Sequence, residues 1–134
     1  PLYFELLNQE KKLENKKNFQ IALKKFKASV IKNFKNIKNM KYEAQIIIRN
    51  DFKIKKIINL NFKNRKFKFS EINNQDKNLK INIDEHKFTN LIFNKYPYNF
   101  FSLINGCLNC ERKNKKLSKN EIYFWGWLNN LNFN

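Results

Sequence analysis

Two cysteines, Cys107 and Cys110, form the run C-L-N-C behind Asn105-Gly106. This spacing can turn two thiolates toward one metal ion. Tetrahedral zinc takes four donors, and the chain offers no second cysteine pair; its single histidine, His86, lies far upstream. Any metal at C-L-N-C is therefore expected to share ligands with a neighbouring chain, and no metal site within this chain is expected. A redox C-x-x-C opens a helix in a βαβ setting, which the flanking residues do not provide. Structural thiols are the plainer expectation.

His86 has no catalytic partner in reach. Asp84 and Glu85 precede it, and adjacent positions on a helix do not face each other. The sequence lacks a G-x-G-x-x-G run, a P-loop and a nucleophile elbow, and two glycines in all cannot build a phosphate-cradling loop. No enzyme activity, cofactor or small-molecule substrate is expected. Tyr123, Phe124, Trp125 and Trp127 cluster late in the chain. Trp125 fits a helical stripe with Ile122 and Leu128. Trp127 falls off that stripe, where it can stack on a base, meet a neighbouring protein or close the core; a protein or core contact is the favoured reading.

The lysines supply the other chemistry. The formal net charge is +17, with 28 Lys and Arg against 11 Asp and Glu. A domain this basic repels itself unless a polyanion neutralises it, and nucleic acid is the leading candidate; an anionic membrane surface or an acidic protein are the others. Lys outnumbers Arg 25 to 3, which suits phosphate contact more than base reading. The residues expected to touch RNA are Lys24, Lys25, Lys27 and Lys32 on a helix, Lys66 and Lys68 on a strand, and Arg112, Lys113, Lys115 and Lys116 in a basic connection.

The elements that must position these groups follow from periodicity. At 134 residues one domain, 1–134, is expected. Residues 5–38 read as a single helix: Phe19, Leu23, Phe26, Val30, Phe34 and Ile37 make one apolar stripe, which Leu6 and Leu13 extend. From 41 to 83 the period becomes 2, in four short strands with hairpin-length connections. Lys56 would fall on the apolar face, which implies a bulge near 55–57. Lys53, Lys55, Lys63, Lys66, Lys68 and Lys80 would line the outer face of this sheet, where lysine also blocks edge-to-edge pairing. Asp84 can cap a helix from about 85 to 95 that turns Phe88, Leu91 and Ile92 inward and stops at Tyr96-Pro97-Tyr98. Residues 99–108 fit a short helix or a strand. Ser118 and Glu121 form a capping box for a helix over about 119–130. The fold class expected is α+β: a long N-terminal helix on a four-stranded antiparallel sheet (41–83), then a mainly helical part (85–130) with two or three shorter helices. No run is long enough to span a membrane, and residues 1–7 (PLYFELL) are too short and too acidic for a targeting peptide.

The chain leans on few residue types, with 25 Lys, 25 Asn, 15 Ile and 14 Phe, all served by A- and T-rich codons. By this composition and layout it resembles the small basic proteins of organellar ribosomes. The resemblance implies a structural component of a mitochondrial ribosome in the matrix, a plastid being the second choice, with ribosomal RNA and neighbouring ribosomal proteins as partners. The rival expectation is a soluble accessory subunit of an organellar respiratory membrane complex.

Overall fold

The computed structural model describes residues 2–71, 76–93 and 109–134. Helix α1 runs Leu2–Asn33 and tightens into a 3-10 turn, Phe34–Asn36. Five strands follow: β1 (Glu43–Asn50), β2 (Lys53–Asn61), β3 (Lys66–Ser70), β4 (Leu79–Asp84) and β5 (Asn109–Arg112). Helix α2 (Glu85–Ile92) leaves β4 directly, and α3 (Lys119–Asn129) follows β5. The fold class is α+β.

The strands lie in the order β3-β2-β1-β4-β5, which corrects the expected four-stranded antiparallel meander. β1, β2 and β3 do form antiparallel hairpins. β4 crosses over to the free side of β1 and pairs with it in parallel, Ile46 opposite Ile81. Period-2 alternation gives a strand its faces but not its neighbour, so a crossover strand reads like a meander strand. β5 adds itself antiparallel to β4, Ile81 opposite Cys110, inside what reads as a basic connection.

The register sorts the side chains. Phe67, Leu60, Ala44, Leu79 and Arg112 form one cross-strand row, and Phe69, Ile58, Ile46, Ile81 and Cys110 the next; both lie on the side that carries the core. Lys55 is left without a partner where the register shifts between Ile48 and Arg49. That is the expected bulge. Lys56 keeps its place on the apolar side, opposite Ile48, and its ammonium sits 4.5 Å above the Phe69 ring. The opposite face is not the solvated lysine surface expected of it: Gln45, Ile47, Ile57 and Lys80 are buried there.

Phe19, Leu23, Phe26, Val30, Phe34 and Ile37 are buried as the stripe predicts. Leu6 and Leu13 are exposed, because the first half of α1 extends past the sheet. Phe26 packs edge-on against Phe88 at 5.5 Å and also meets Phe67 and Phe133. Phe34 stacks on Trp127 at 5.8 Å. Phe62 stands edge-on to Trp127 and to Phe124. Trp127 also donates its indole N–H to the Asn33 carbonyl at 2.7 Å, satisfying an oxygen that the end of α1 would otherwise leave orphaned.

Local signals fix the helix starts. The Asp84 carboxylate accepts from the His86 and Lys87 amides, and Ser118 Oγ from the Glu121 amide. Phe88, Leu91 and Ile92 are buried as expected; Ile122 is not, and α3 buries Glu121, Phe124, Trp125, Trp127 and Leu128. The tight β1–β2 turn puts Asp51 at φ 54°, a left-handed conformation that Asp tolerates better than most residues. Residues 94–108, with the Tyr96-Pro97-Tyr98 stop and Cys107, lie outside the described residues.

Phe26→Ala is expected to lower the unfolding free energy by about 3–5 kcal/mol. Leu13→Ala, at an exposed position, should change it by less than about 0.5 kcal/mol. Urea unfolding followed by tryptophan fluorescence will separate the two; equal losses would show that α1 does not pack as described.

Candidate functional site

Among the described residues, side chains that could act on a ligand gather at a polar junction between β5 and α3, a basic cavity beside α2 and a groove beside α3. The first is structural. Arg112 on β5 faces α3, and its Nε donates to Glu121 Oε1 at 2.6 Å. The other Glu121 oxygen accepts from Trp125 Nε1 at 3.2 Å. The second arm of the capping box is thereby diverted: the Glu121 carboxylate turns inward to Arg112 and Trp125. The hydrogen bond to Glu121 raises the Arg112 pKa further. Burial pushes the Cys110 thiol up to about 11; Arg112 pulls it down and Glu121 adds to the rise. Burial, with Glu121 next, also raises the Tyr42 phenol, whose oxygen is buried without a hydrogen-bond partner. These are groups held neutral or paired, not a nucleophile and its base.

The basic cavity, about 460 Å³, lies between the first half of α1, the bulged end of β2 and the start of α2. Lys12, Lys16, Lys55 and His86 line it with Asn15, Asn18 and Asn90, above Phe19. Its one acid, Glu85, accepts from Asn50 Nδ2 at 2.9 Å.

The apolar groove, about 380 Å³, runs between the 3-10 turn and α3. Ile37, Ile122, Tyr123, Trp127 and Leu131 line it; Asn33, Asn36, Lys38 and Asn130 supply its polar groups. Ile122 and Tyr123 remain 56% and 47% exposed. A Cβ added to Gly126, on the groove wall, would meet nothing within 4 Å.

The residues expected to hold RNA are not gathered into one site, though Lys25 and Lys32 share one hollow and Lys66 and Lys68 another. Lys25 lies over the Phe93 ring at 5.0 Å, and Lys27 over Phe67 and Phe69 at 5.9 and 5.7 Å. Lys24 is exposed and Lys32 lines the hollow by Phe133. Lys66 and Lys68 project from the edge strand β3. Arg112 is committed to Glu121. Lys113 donates its backbone amide to Asn78, and Lys115 and Lys116 are exposed. Among the described residues no cluster of three His, Cys, Asp or Glu could hold a metal, and Cys107 falls outside them. Sequence reasoning missed both hollows. The groove depends on Gly126, a residue that gives no periodic signal, and the basic cavity on a bulge and two helices far apart in sequence.

No family model matches the chain, and no curated protein matches it in sequence. Its fold is that of a class of solved carrier proteins. The structure of sterol carrier protein-2 like-3 from Aedes aegypti is similar with a TM-score of 0.53 at 16% identity, over 81% of this chain and 91% of that one. Sterol carrier protein 2 like 2 from the same organism gives 0.51 at 7% identity, over 70% and 88%. Sterol carrier protein 2 from Yarrowia lipolytica, in its apo form, gives 0.51 at 16%, over 87% and 90%. At these identities the likeness is one of fold.

The likeness corrects the functional expectations. Composition pointed to a ribosomal structural protein with ribosomal RNA and ribosomal proteins as partners and no small-molecule ligand, or else to a respiratory accessory subunit. The chain is instead built on the architecture of these sterol carriers. The physical reason for the error is that charge reports affinity for polyanions in general, and an anionic lipid surface satisfies it as well as RNA does.

Arg112→Ala is expected to cost about 1–3 kcal/mol, since it leaves the buried Glu121 carboxylate without its cation; the Arg112 side chain is 37% exposed, which keeps the loss below that of a fully buried pair. Adding Glu121→Gln should recover part of it in a thermal melt. For Cys110, the folded state holds its proton to higher pH than the unfolded chain. The group therefore favours folding below the ordinary thiol range, and this contribution fades as pH rises toward about 11. In a Cys107→Ser chain, iodoacetamide should react slowly at neutral pH and faster as pH climbs through that value. An inflection at the ordinary thiol pKa would contradict the buried placement.

Proposed function

We propose that this chain binds a single lipid-class molecule, an apolar body with one polar end, and carries it without chemical change. The observation that carries the reading is the fold shared with three sterol carrier structures over most of their length and most of this chain. The groove beside α3 supports it. Ligand sites of this kind are concave and mostly apolar, with a few polar groups that set orientation. Here Trp127 and Ile37 form the floor, Ile122, Tyr123 and Leu131 the apolar walls, and Asn36, Lys38 and Asn130 the polar groups. Ile122 and Tyr123 are exposed together on the wall of one concave surface, and exposed apolar area that is contiguous and concave marks a binding site. The ammonium of Lys38, 5.8 Å from the Tyr123 ring centre, stands where a carboxylate or hydroxyl end would lie.

The interior makes the groove the better candidate among the described residues. Phe26, Phe34, Phe62, Phe124 and Trp127 interlock between the helices and the sheet. The volume they occupy is not free for a ligand.

Binding should be measured with a fluorescent fatty acid and a fluorescent sterol, read by energy transfer from tryptophan. Gly126→Leu fills the groove. It should weaken binding at least tenfold while leaving the melting temperature unchanged or raised, because a glycine within a helix costs about 1 kcal/mol relative to a good helix former. Failure of the unaltered chain to bind either probe saturably would overturn the carrier reading.

A further inference from the structure

The β1–β2 hairpin ends in a residue that the fold does not use. Phe52 is 99% exposed at the tip of a tight turn, a position where polar residues normally sit. Ile54, two residues on, is 43% exposed. Lys53 and Lys55 are exposed in the same stretch. Lys55 is the bulged residue, and the bulge frees its side chain from the ladder to line the basic cavity with Lys12 and Lys16. A protruding aromatic ring beside a hollow lined by three lysines is thus one continuous feature at one end of the sheet.

The first half of α1 borders the same cavity. Leu2, Leu6 and Leu13 share one of its faces by their spacing, and all are exposed. Its charges nearly cancel, because Glu5, Glu10 and Glu14 stand among Lys11, Lys12, Lys16 and Lys17. The excess positive charge of this end comes from the hairpin, where Lys53 and Lys55 outnumber Asp51, and from the cavity, whose one carboxylate, Glu85, is held by Asn50.

We propose that this end docks on an anionic phospholipid bilayer, with Phe52 inserted among the acyl chains and a lipid phosphate held in the cavity by Lys12, Lys16 and Lys55. Three features favour a bilayer over other partners. The apolar residues project singly, which suits insertion into a fluid interface and not a flat protein contact. An aromatic ring flanked by lysines places apolar area below the headgroups and charge at their level. The +17 charge draws the chain toward such a surface. The inference goes beyond the carrier reading and uses no residue of the groove.

The test is sedimentation of the full chain with phosphatidylcholine vesicles, with and without phosphatidylserine. Binding is expected only to the phosphatidylserine vesicles and should weaken with added salt. Phe52→Ala should weaken it roughly tenfold, and Lys53→Gln with Lys55→Gln about fivefold per charge. Phe52 touches nothing, so its variant should melt like the unaltered chain. Phe52→Trp should restore binding, with a blue shift of its emission on the vesicles. Vesicle binding that is absent, or unchanged in the Phe52→Ala and lysine variants, overturns the proposal; so does uptake of inorganic phosphate alone. Fluorescent-lipid binding measured without vesicles should persist in Phe52→Ala, so that failure of docking and failure of the carrier reading are told apart.

Discussion

The structure depends on how the apolar stripe of α1 is covered. Six residues from Phe19 to Ile37 must leave water together, and among the described residues they meet a sheet whose β1, β2 and β4 turn Ala44, Ile46, Ile48, Ile58, Leu60, Leu79 and Ile81 to one side. Half of the stripe is phenylalanine, and beside the aliphatic strand residues it meets Phe62, Phe67, Phe88 and Phe133. Aromatic rings interlock edge to face, and such packing tolerates few voids. Trp127 closes the layer twice over, by stacking on Phe34 and by bonding the last-turn carbonyl of Asn33. That bond joins the end of α1 to α3. It also sets the groove: the indole that caps α1 is the floor on which a ligand would lie.

The helices were legible because each carries its own evidence. The 3.6 period of α1, the Asp84 and Ser118 caps and the lysine that breaks the β2 alternation are all local. What was not legible is non-local. β4 could pair with β3 or cross to β1 without changing one residue of its pattern. Burial of the second face was marked by the runs Ile46-Ile47-Ile48 and Ile57-Ile58, which depart from alternation, but nothing in the pattern marked Lys80. Leu6 and Leu13 continue the stripe in sequence but not in space, because periodicity does not report where the sheet ends. The diverted capping box has the same cause. Ser118 and Glu121 fit the local motif, and Arg112, brought in by β5, takes the carboxylate away.

The candidate sites were legible in their ingredients and not in their assembly. Lysine content announced an anionic partner, but chain-wide charge cannot tell a lysine that is free from one already engaged. Lys25, Lys27 and Lys56 lie over aromatic rings, an arrangement worth about 0.5–1 kcal/mol each at such sites. They lend the aromatic core a charged rim. The lysines that remain available are distributed by elements, with one group converging where the β2 bulge meets α1 and α2.

That convergence bears on how the two lipid readings relate. A carrier has to release its ligand, so a groove that held it in an enclosed core would need the aromatic layer to part. An open groove beside α3 needs no such opening. Phe34, Phe62 and Trp127 can stay interlocked while a ligand enters or leaves, and the stability of the fold is then decoupled from loading. A bilayer-docking end built from Phe52, Lys53 and Lys55 is equally external, because it sits on a turn whose ring makes no contact with the core. The groove walls at Ile122 and Tyr123 and the turn at Phe52 can therefore change by mutation with little cost to folding, whereas the groove floor at Trp127 and Ile37 cannot. The interlocked phenylalanines can hold the fold while the exposed positions of these two surfaces vary.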